Sequence, residues 1–293
     1  MHKTRYNALR LTLAISPRGP LLVKAGGISA NPSLPDMQFV RTYRADAGET
    51  VYIPGSSLKG VVRGFVEKAL RTLDDQNTWR WACPTFPDEQ ESCAKRLEKE
   101  ENSAKVYRQS CGACRIFGHT RLRGRAAFTD LFPAADVTTE IRYGVAISRL
   151  THAVAHGPFE MEVAVAGSFE GHLVLENYEI WQLGLLASAL EAMNQGLVKV
   201  GFGKNRGFGE VDVKVKEVRV DEVASTADAT TLRGLAAFVN GDEEEAYGLA
   251  PPKNLQELPD PKGREDLGIY SRRVYDAGGW QAIAQKAIAA LST

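Results

Sequence analysis

The sequence has neither a long hydrophobic run nor a net charge, and each absence restricts what the protein can be. No apolar stretch approaches the roughly 20 residues that a helix needs to cross a bilayer, and the N-terminus lacks the hydrophobic region of a signal peptide. We therefore expect a cytoplasmic protein with no membrane partner. Lysine plus arginine equals aspartate plus glutamate at 36 each, so a polyanionic partner has to be met by local basic patches.

Cysteine is also scarce, and the four cysteines lie close together in the sequence. Cys111 and Cys114 are separated by two residues, whereas Cys83 and Cys93 are spaced more widely. In a reducing compartment such a cluster favours metal ligation over disulfides. We predict a structural zinc site formed by these four cysteines, which leaves the metal no open position for water. His119 is held as a substitute ligand, and free or redox-active thiols are the alternative.

A turn at residues 54–55 runs straight into a helix that carries two cations near its start. Ser56 or Ser57 is expected to cap this helix by accepting a hydrogen bond from one of its first free N–H groups. Lys59 and Arg63 are four residues apart, so they share a face. Hydroxyls, unpaired N–H groups and fixed cations together suit a phosphate. The alternative is a capped amphipathic helix with solvated cations.

Residues 201–209 form a glycine-rich loop with cations inside it. Gly203 and its neighbouring glycines would let the main chain approach a phosphate closely, while Lys204 and Arg206 neutralise its charge. The loop cannot belong to a dinucleotide-binding Rossmann unit, because a strand rather than a helix is predicted to follow it. A plain glycine hairpin is the alternative.

Two other stretches have weak periodicity. Residues 26–35 form an irregular loop, rich in glycine and proline, that leads to Asp36. An aspartate in such a loop is either a turn-former or an acid placed near the start of the helix. Residues 132–157 form a long excursion, which we interpret as a two-stranded arm because long loops without structure are uncommon in compact domains.

Hydrophobic periodicity predicts an α+β fold in a chain of 293 residues, 44% of them hydrophobic. Besides the helix that starts near residue 56, helices are predicted at 94–107, 180–193 and 280–291, and strands at 7–16, 159–166, 168–175, 198–200 and 210–220. The strands that flank Gly167 are expected to pair as a hairpin. The order strand, helix, strand, strand, helix, strand is the ferredoxin-like arrangement, here with large insertions.

Three features occur in a fixed order: the turn and helix P-G-S-S-L-K-G-x-x-R, the segment Cys111-Gly112-Ala113-Cys114-Arg115-Ile116-Phe117-Gly118, and the glycine loop. Together they resemble the RAMP superfamily of CRISPR-associated proteins, and specifically the backbone subunit of type III effector complexes. The resemblance covers roughly residues 5–220.

The resemblance implies an α+β fold with a modified ferredoxin-like (RRM-like) core. Residues 1–220 would form the RNA-binding domain, with a zinc-bound lid at 78–118 and a β-hairpin thumb at 132–158. Residues 221–293 would form a C-terminal extension that ends in a helix. Implied partners are the guide (crRNA), its complementary target RNA and other subunits of the complex.

The resemblance also implies roles for individual residues. Positions that match guide-binding residues of the family are Ser56, Ser57, Lys59, Arg63, Gly203, Lys204, Arg206 and Arg41. Asp36 matches the aspartate on which cleavage of target RNA depends. Its carboxylate would hold Mg²⁺ while the 2′-hydroxyl beside a flipped nucleotide attacks in line.

Two alternatives to a guide-binding, target-cleaving subunit remain. One is a purely structural subunit with the same RNA contacts and no nuclease activity. The other is an endoribonuclease that processes repeat RNA without metal, with histidine as acid or base. Only His2 lies early in the chain and no histidine adjoins the glycine loop, which disfavours this second alternative.

Overall fold

The structure is a computed structural model that describes residues 3–26, 34–86, 90–226, 228 and 230–292. His2 and residues 27–33 of the loop before Asp36 lie outside the described residues. None of the helices in the described part of the chain is long and apolar enough to cross a membrane. The predicted α+β class is confirmed.

Seven α-helices lie in the described ranges and are numbered in chain order. They are α1 (Gly55–Leu73), α2 (Cys93–Arg96), α3 (Ser103–Gln109), α4 (Gly112–Phe117), α5 (Ile180–Asn194), α6 (Gly241–Tyr247) and α7 (Ala277–Ala289).

The strands are numbered in the same way. They are β1 (Asn7–Pro17), β2 (Arg41–Arg44), β3 (Gly48–Val51), β4 (Gly118–His119), β5 (Leu122–Arg123), β6 (Ala126–Phe128), β7 (Phe132–Pro133), β8 (Thr138–Ile147), β9 (Val154–Ala166), β10 (Phe169–Glu176), β11 (Val211–Val223), β12 (Leu232–Arg233), β13 (Asn254–Leu255), β14 (Gly263–Asp266) and β15 (Tyr270–Asp276).

A central antiparallel sheet organises the chain. Its strand order is β14-β15-β11-β1-β10-β6, and β7 also pairs with β10. Along β1, Leu9, Leu11 and Leu13 are inaccessible to solvent whereas Arg10 is exposed. This period of two gives the sheet one apolar face. Helices α1 and α5 pack against each other, α1 against β6 and α5 against β11.

The C-terminal residues join this sheet. The boundary expected at residue 220 falls inside β11, which continues to Val223 and pairs with β15. Helix α7 packs on α5 so closely that a Cβ at Gly184 would lie 2.4 Å from the carbonyl oxygen of Ala287. A fully buried ion pair joins Arg273 of β15 to Glu222 of β11 at 2.7 Å.

The hairpin predicted about Gly167 is wrong. Strand β9 ends at Ala166 and pairs with β8, whereas β10 begins at Phe169 and pairs with β1. Alternation along a strand specifies which side chains share a face but not which strand lies alongside, so the same pattern fits both pairings.

Two further predictions are wrong. The segment at 94–107 is two short helices rather than one, because the side chain of Asn102 accepts hydrogen bonds from the N–H groups of Ala104 and Lys105 and starts α3 anew. Residues 198–200 do not form a strand, although the Val200 N–H donates to the Gly209 carbonyl at 2.9 Å.

Candidate nucleic-acid interface and metal centre

Helix α1 starts in a way the sequence did not indicate. Pro54 occupies the N-cap position, and no side chain of the cap residue accepts a hydrogen bond, so the predicted serine cap is wrong. The Gly55 N–H instead donates to Oδ1 of Asp130 at 2.8 Å. A Cβ at Gly55 would lie 2.4 Å from the carbonyl oxygen of Phe128, so glycine allows this close docking. Ser56 is left exposed at the helix start.

The outward side of α1 is small and basic. Gly60 and Gly64 have open space where a Cβ would stand, and Lys68 continues the same spacing of four residues. Lys59 adjoins Gly60, and neither lysine forms an ion pair with a described residue. Burial, followed by the charge of Arg63, lowers the pKa of Lys59. An added phosphate would relieve this repulsion between like charges.

The glycine loop holds its cations on a single 3-10 turn, Lys204–Arg206. The flanking residues Gly203 and Gly207 both have left-handed backbone, with φ of 70° and 82°. A Cβ at Gly201 would lie 2.2 Å from the carbonyl oxygen of Leu22. Glycine is therefore required here to turn the chain and to dock it against the N-terminal segment.

Helix α1 and the glycine loop enclose a cleft of about 710 Å³, which we call the helix–loop cleft. Its cations are Lys68, Lys199 and Lys204, and no carboxylate is among the described residues that line it. Lys199 is paired with Glu210 at 2.8 Å. Desolvation, followed by the charge of Lys68, lowers the pKa of Lys204. Two segments that are distant in the sequence thus present unneutralised positive charge to one space.

Sequence reasoning missed Lys68. The signal that could have found it is the four-residue spacing from Gly60 through Gly64, which marks one stripe of the helix. Ser56, Ser57 and Arg206 do not line the helix–loop cleft. Arg206 is exposed at its rim, on the same turn as Lys204.

Arg63 points away from this cleft and toward the cysteines. Its guanidinium lies 2.7 Å from Glu67, 3.2 Å from the Gly118 carbonyl oxygen and 3.8 Å from Sγ of Cys114. About two turns later, Arg71 donates to the carbonyl oxygen of Cys83 at 2.8 Å. The side of α1 that carries both arginines therefore holds the lid by polar contacts.

The four cysteines come together as predicted. Their sulfur atoms all lie within 4.8 Å of one another, and every one of the residues is buried. A tetrahedral zinc ion with Zn–S distances of about 2.3 Å separates its sulfurs by about 3.8 Å. The sulfurs of Cys83 and Cys114 are 3.8 Å apart. The cluster could hold a metal such as zinc, with all four positions taken by protein.

Helix α4 gives the cluster its local geometry. Cys111 is the N-cap of α4, and its sulfur accepts a hydrogen bond from the Cys114 N–H at 3.4 Å. The sulfur of Cys93 accepts one from the Cys111 N–H at 3.3 Å. Gly112 packs so tightly that a Cβ there would lie 2.3 Å from the Trp79 carbonyl oxygen. Hydrogen bonding among the four thiols lowers the pKa of Cys83 and Cys111 and raises the pKa of Cys93 and Cys114.

His119 does not belong to the cluster. Its Nε2 lies 3.0 Å from Oγ of Ser110, and its Nδ1 accepts a hydrogen bond from the Arg121 N–H at 3.3 Å. Both ring nitrogens are thus engaged, which fits a neutral ring. Burial lowers the pKa of His119 and favours the same form.

Asp36 lies at the base of the β8–β9 hairpin. It is exposed, and its Oδ2 accepts a hydrogen bond from the Glu160 N–H of β9 at 2.8 Å. The next residue, Met37, forms a parallel bridge with Met161. Asp36 therefore stands where the loop from β1 meets the root of the hairpin, and among described residues its Oδ1 has no hydrogen-bond partner.

Arg41 also lies at this root, but its guanidinium is already paired. Nη1 and Nη2 donate to the two oxygens of Glu162 at 2.6 and 2.5 Å. The Phe39 N–H donates to the same carboxylate at 3.1 Å. Burial opposes the charge on Glu162, but the hydrogen bonds from Arg41 and Phe39 outweigh it and lower the pKa of this carboxyl. No local pattern in the sequence indicated this pair.

The hairpin itself exposes apolar side chains. The large apolar side chains that are exposed to solvent on it are Ile141, Tyr143, Val145, Ile147, Leu150 and Val154. Four of them alternate along β8. Such a concentration on one protruding hairpin is typical of a surface that contacts a partner.

The profile of the RAMP superfamily matches residues 15–212. This range contains α1, the four cysteines, the β8–β9 hairpin and the glycine loop. The chain belongs to the RAMP superfamily. Membership indicates a CRISPR-associated role in RNA binding, because RAMP proteins act in CRISPR complexes with RNA and other Cas subunits. A comparison with curated protein sequences found no significant match.

Proposed function

We propose that this protein is the guide-binding backbone subunit of a type III CRISPR effector complex. The observation that carries the proposal is the helix–loop cleft, where Lys68 and Lys204 meet with no carboxylate among the described residues that line it. Lys59 and Arg206 do not line the cleft, but each is next in sequence to a residue that does, Gly60 and Asn205 respectively. The guide's ribose-phosphate chain would lie along the glycine face of α1, where the absence of side chains admits it.

The topology supports a modified ferredoxin-like core. Strands β11, β1, β10 and β6 are neighbours in that order in the sheet, and all are antiparallel. In the chain their order is β1, β6, β10 and β11, with α1 between β1 and β6 and α5 between β10 and β11. This is the arrangement of a split βαβ-βαβ unit. The lid, the β8–β9 hairpin as thumb and the C-terminal extension would be additions to it.

Within this proposal, the predicted RNA-binding residues take different roles. Lys59, Lys204 and Arg206 would contact guide phosphates, together with Lys68. Ser56 and Ser57 would contact guide from the helix start, and Gly203 would turn the loop. We assign Arg63 and Arg41 positioning roles, since Arg63 contacts the lid and Arg41 is paired with Glu162.

The test is guide affinity as a function of salt. We expect Lys68→Glu/Lys204→Glu to weaken binding of a single-stranded guide RNA at least tenfold. Each lost phosphate contact reduces the slope of log K against log salt by about 0.7 for single strands. A matched control is Lys262→Glu/Lys286→Glu, which makes the same change in net charge far along the chain. Equal affinity and slope in both double variants would refute the proposal.

A second candidate function is cleavage of target RNA at Asp36. The favouring observation is an exposed carboxylate at the root of a protruding hairpin, with one oxygen held by Glu160 and the other without a partner among described residues. Carboxylate oxygen is a ligand that Mg²⁺ accepts alongside substrate phosphates. Bound Mg²⁺ would neutralise charge at the scissile phosphate.

Asp36→Asn in the assembled complex separates the two functions. The amide oxygen can still accept the Glu160 N–H but carries no charge. We expect target cleavage to fall by at least a hundredfold with target binding retained. Asp46→Asn, at an exposed turn, is the matched control. Undiminished cleavage in Asp36→Asn would show that Asp36 does not carry the reaction and would refute this second candidate function.

A further inference from the structure

A second cleft lies on the other side of the lid, between it and the C-terminal residues. Its volume is about 530 Å³, within the range of about 300–1,000 Å³ that is usual for pockets of small ligands. Lid residues Trp81, Arg96, Arg108 and Arg115 line one side, and Gly248 belongs to the other. We call it the arginine cleft.

The charge of the arginine cleft is not neutralised. Arg108 donates to the Glu245 carbonyl oxygen at 3.0 Å, and Arg115 to the Gly248 carbonyl oxygen at 3.1 Å. Arg96 likewise donates to the carbonyl oxygen of Gln109. These acceptors are neutral, none of the three arginines forms an ion pair with a described residue, and no carboxylate is among the described residues that line the cleft. Three guanidinium groups around one space favour an anion there.

The remaining lining residues include polar side chains that can form hydrogen bonds with the edge of a base. Gln76, Asn77 and Gln109 offer amides. Arg96 lies over the ring of Trp81, with 5.0 Å between its Cζ and the ring centroid. Single-stranded RNA is typically recognised by guanidinium planes, aromatic rings and amides that bond base edges. An acidic peptide would use the charge but has no planar base that could stack on a guanidinium group.

We propose that the arginine cleft binds one unpaired nucleotide of a single-stranded RNA. The phosphate is held by Arg96 and Arg108, which are exposed, while the buried Arg115 fixes the cleft wall. The base is bonded by the amides of the lining, which belong to Gln76, Asn77 and Gln109. This is a second RNA contact, separate from the helix–loop cleft, so either one can fail without the other.

The first test needs no variant. The full-length protein is bound to a single-stranded RNA that contains 4-thiouridine, irradiated, digested and analysed by mass spectrometry. We expect crosslinked peptides from residues 76–81 or 96–109, in addition to peptides from α1 or the glycine loop. Crosslinks confined to α1 and the glycine loop would overturn the inference.

The second test compares double variants in the same RNA-binding assay. Arg96→Glu/Arg108→Glu should lower affinity about tenfold and reduce the salt slope by about 0.7, the value for one phosphate contact on a single strand. Lys99→Glu/Lys105→Glu is the matched control, because both lysines are exposed on the lid and neither lines the cleft. Arg96→Gln/Arg108→Gln serves if the glutamate pair disturbs folding.

The outcomes are distinguishable. If only Lys68→Glu/Lys204→Glu weakens binding, the arginine cleft does not bind RNA and the proposed function stands. If only Arg96→Glu/Arg108→Glu does, the inference stands and the proposed guide path is wrong. If the arginine variant binds RNA normally but no longer associates with an acidic protein subunit, the cleft serves a protein and the inference is overturned.

Discussion

The lid and the β8–β9 hairpin are both excursions from one sheet, yet they are held by different means. The lid buries its four cysteines and packs α4 on α1. The hairpin leaves most of β8 exposed and is attached only at its root, where Val163 and Ala164 of β9 are buried in the core and Arg41 pairs with Glu162. One excursion is built to stay in a single position, and the other is built to present apolar side chains to a partner.

Substitution of a metal ligand is expected to have the largest effect, because it should destabilise the lid and leave the hairpin unchanged. We expect Cys114→Ser to lose bound zinc and at least about 3 kcal/mol of unfolding free energy, because structural zinc contributes folding free energy directly. Elemental analysis and thermal unfolding measure both quantities. Ile147→Ser, on the exposed hairpin, is the control and should change neither. Full stability without zinc would show that the lid is held by packing alone.

A smaller but still large effect is expected from Gly112→Ala. The added Cβ would stand 2.3 Å from the Trp79 carbonyl oxygen, so the lid backbone has to move. Such overpacking typically costs about 1–3 kcal/mol. Denaturant unfolding would measure it, and hydrogen exchange should place the loosened amides in the lid rather than in the hairpin. A neutral effect would mean that α4 is not docked this closely.

At the hairpin root, Arg41→Ala should cost about 1–3 kcal/mol, because the buried carboxylate of Glu162 loses its counter-ion. The loss should be local. Hydrogen exchange at Glu160 and Glu162 should accelerate while the lid amides stay protected. If Arg41 instead contacts guide, the variant will keep its root protection and lose RNA affinity.

The same pair predicts a response to acid. The folded pKa of Glu162 lies below its usual value, so the pair stabilises the root fully above about pH 4.3, the ordinary value for glutamate. That contribution is lost as the pH falls through the lowered folded pKa. In Glu162→Gln the acid-dependent part should vanish, which a comparison of hairpin hydrogen exchange at several pH values would detect.

The smallest expected effect is stabilisation by Gly60→Ala. Nothing lies within 4 Å of a Cβ at this position of α1, so alanine should gain up to about 1 kcal/mol from helix propensity. In contrast with Gly112, the cost should appear in function, since a methyl group would stand on the proposed guide path. Unchanged RNA affinity in a stabilised Gly60→Ala protein would move the guide away from this face.

Features that depend on neighbouring residues in the chain could be predicted from the amino-acid sequence. The α+β class followed from periodicity, and the convergence of the four cysteines followed from their number and spacing. Helix α5 and strands β1 and β11 occur close to their predicted positions. In each case the signal lies within one short segment, so neighbouring residues suffice to specify it.

The pairing of groups that are distant in the sequence became visible only in the folded chain. Asp130 docks the start of α1 from 75 residues away, and Glu162 pairs with Arg41 across 121 residues. The strands on either side of Gly167 look like a hairpin by pattern but pair with other strands. Lys68 and Lys204 line one cleft although they are far apart in the sequence. Local patterns fix faces and turns, whereas partners are fixed by closure of the whole sheet and its helices, which no single segment encodes.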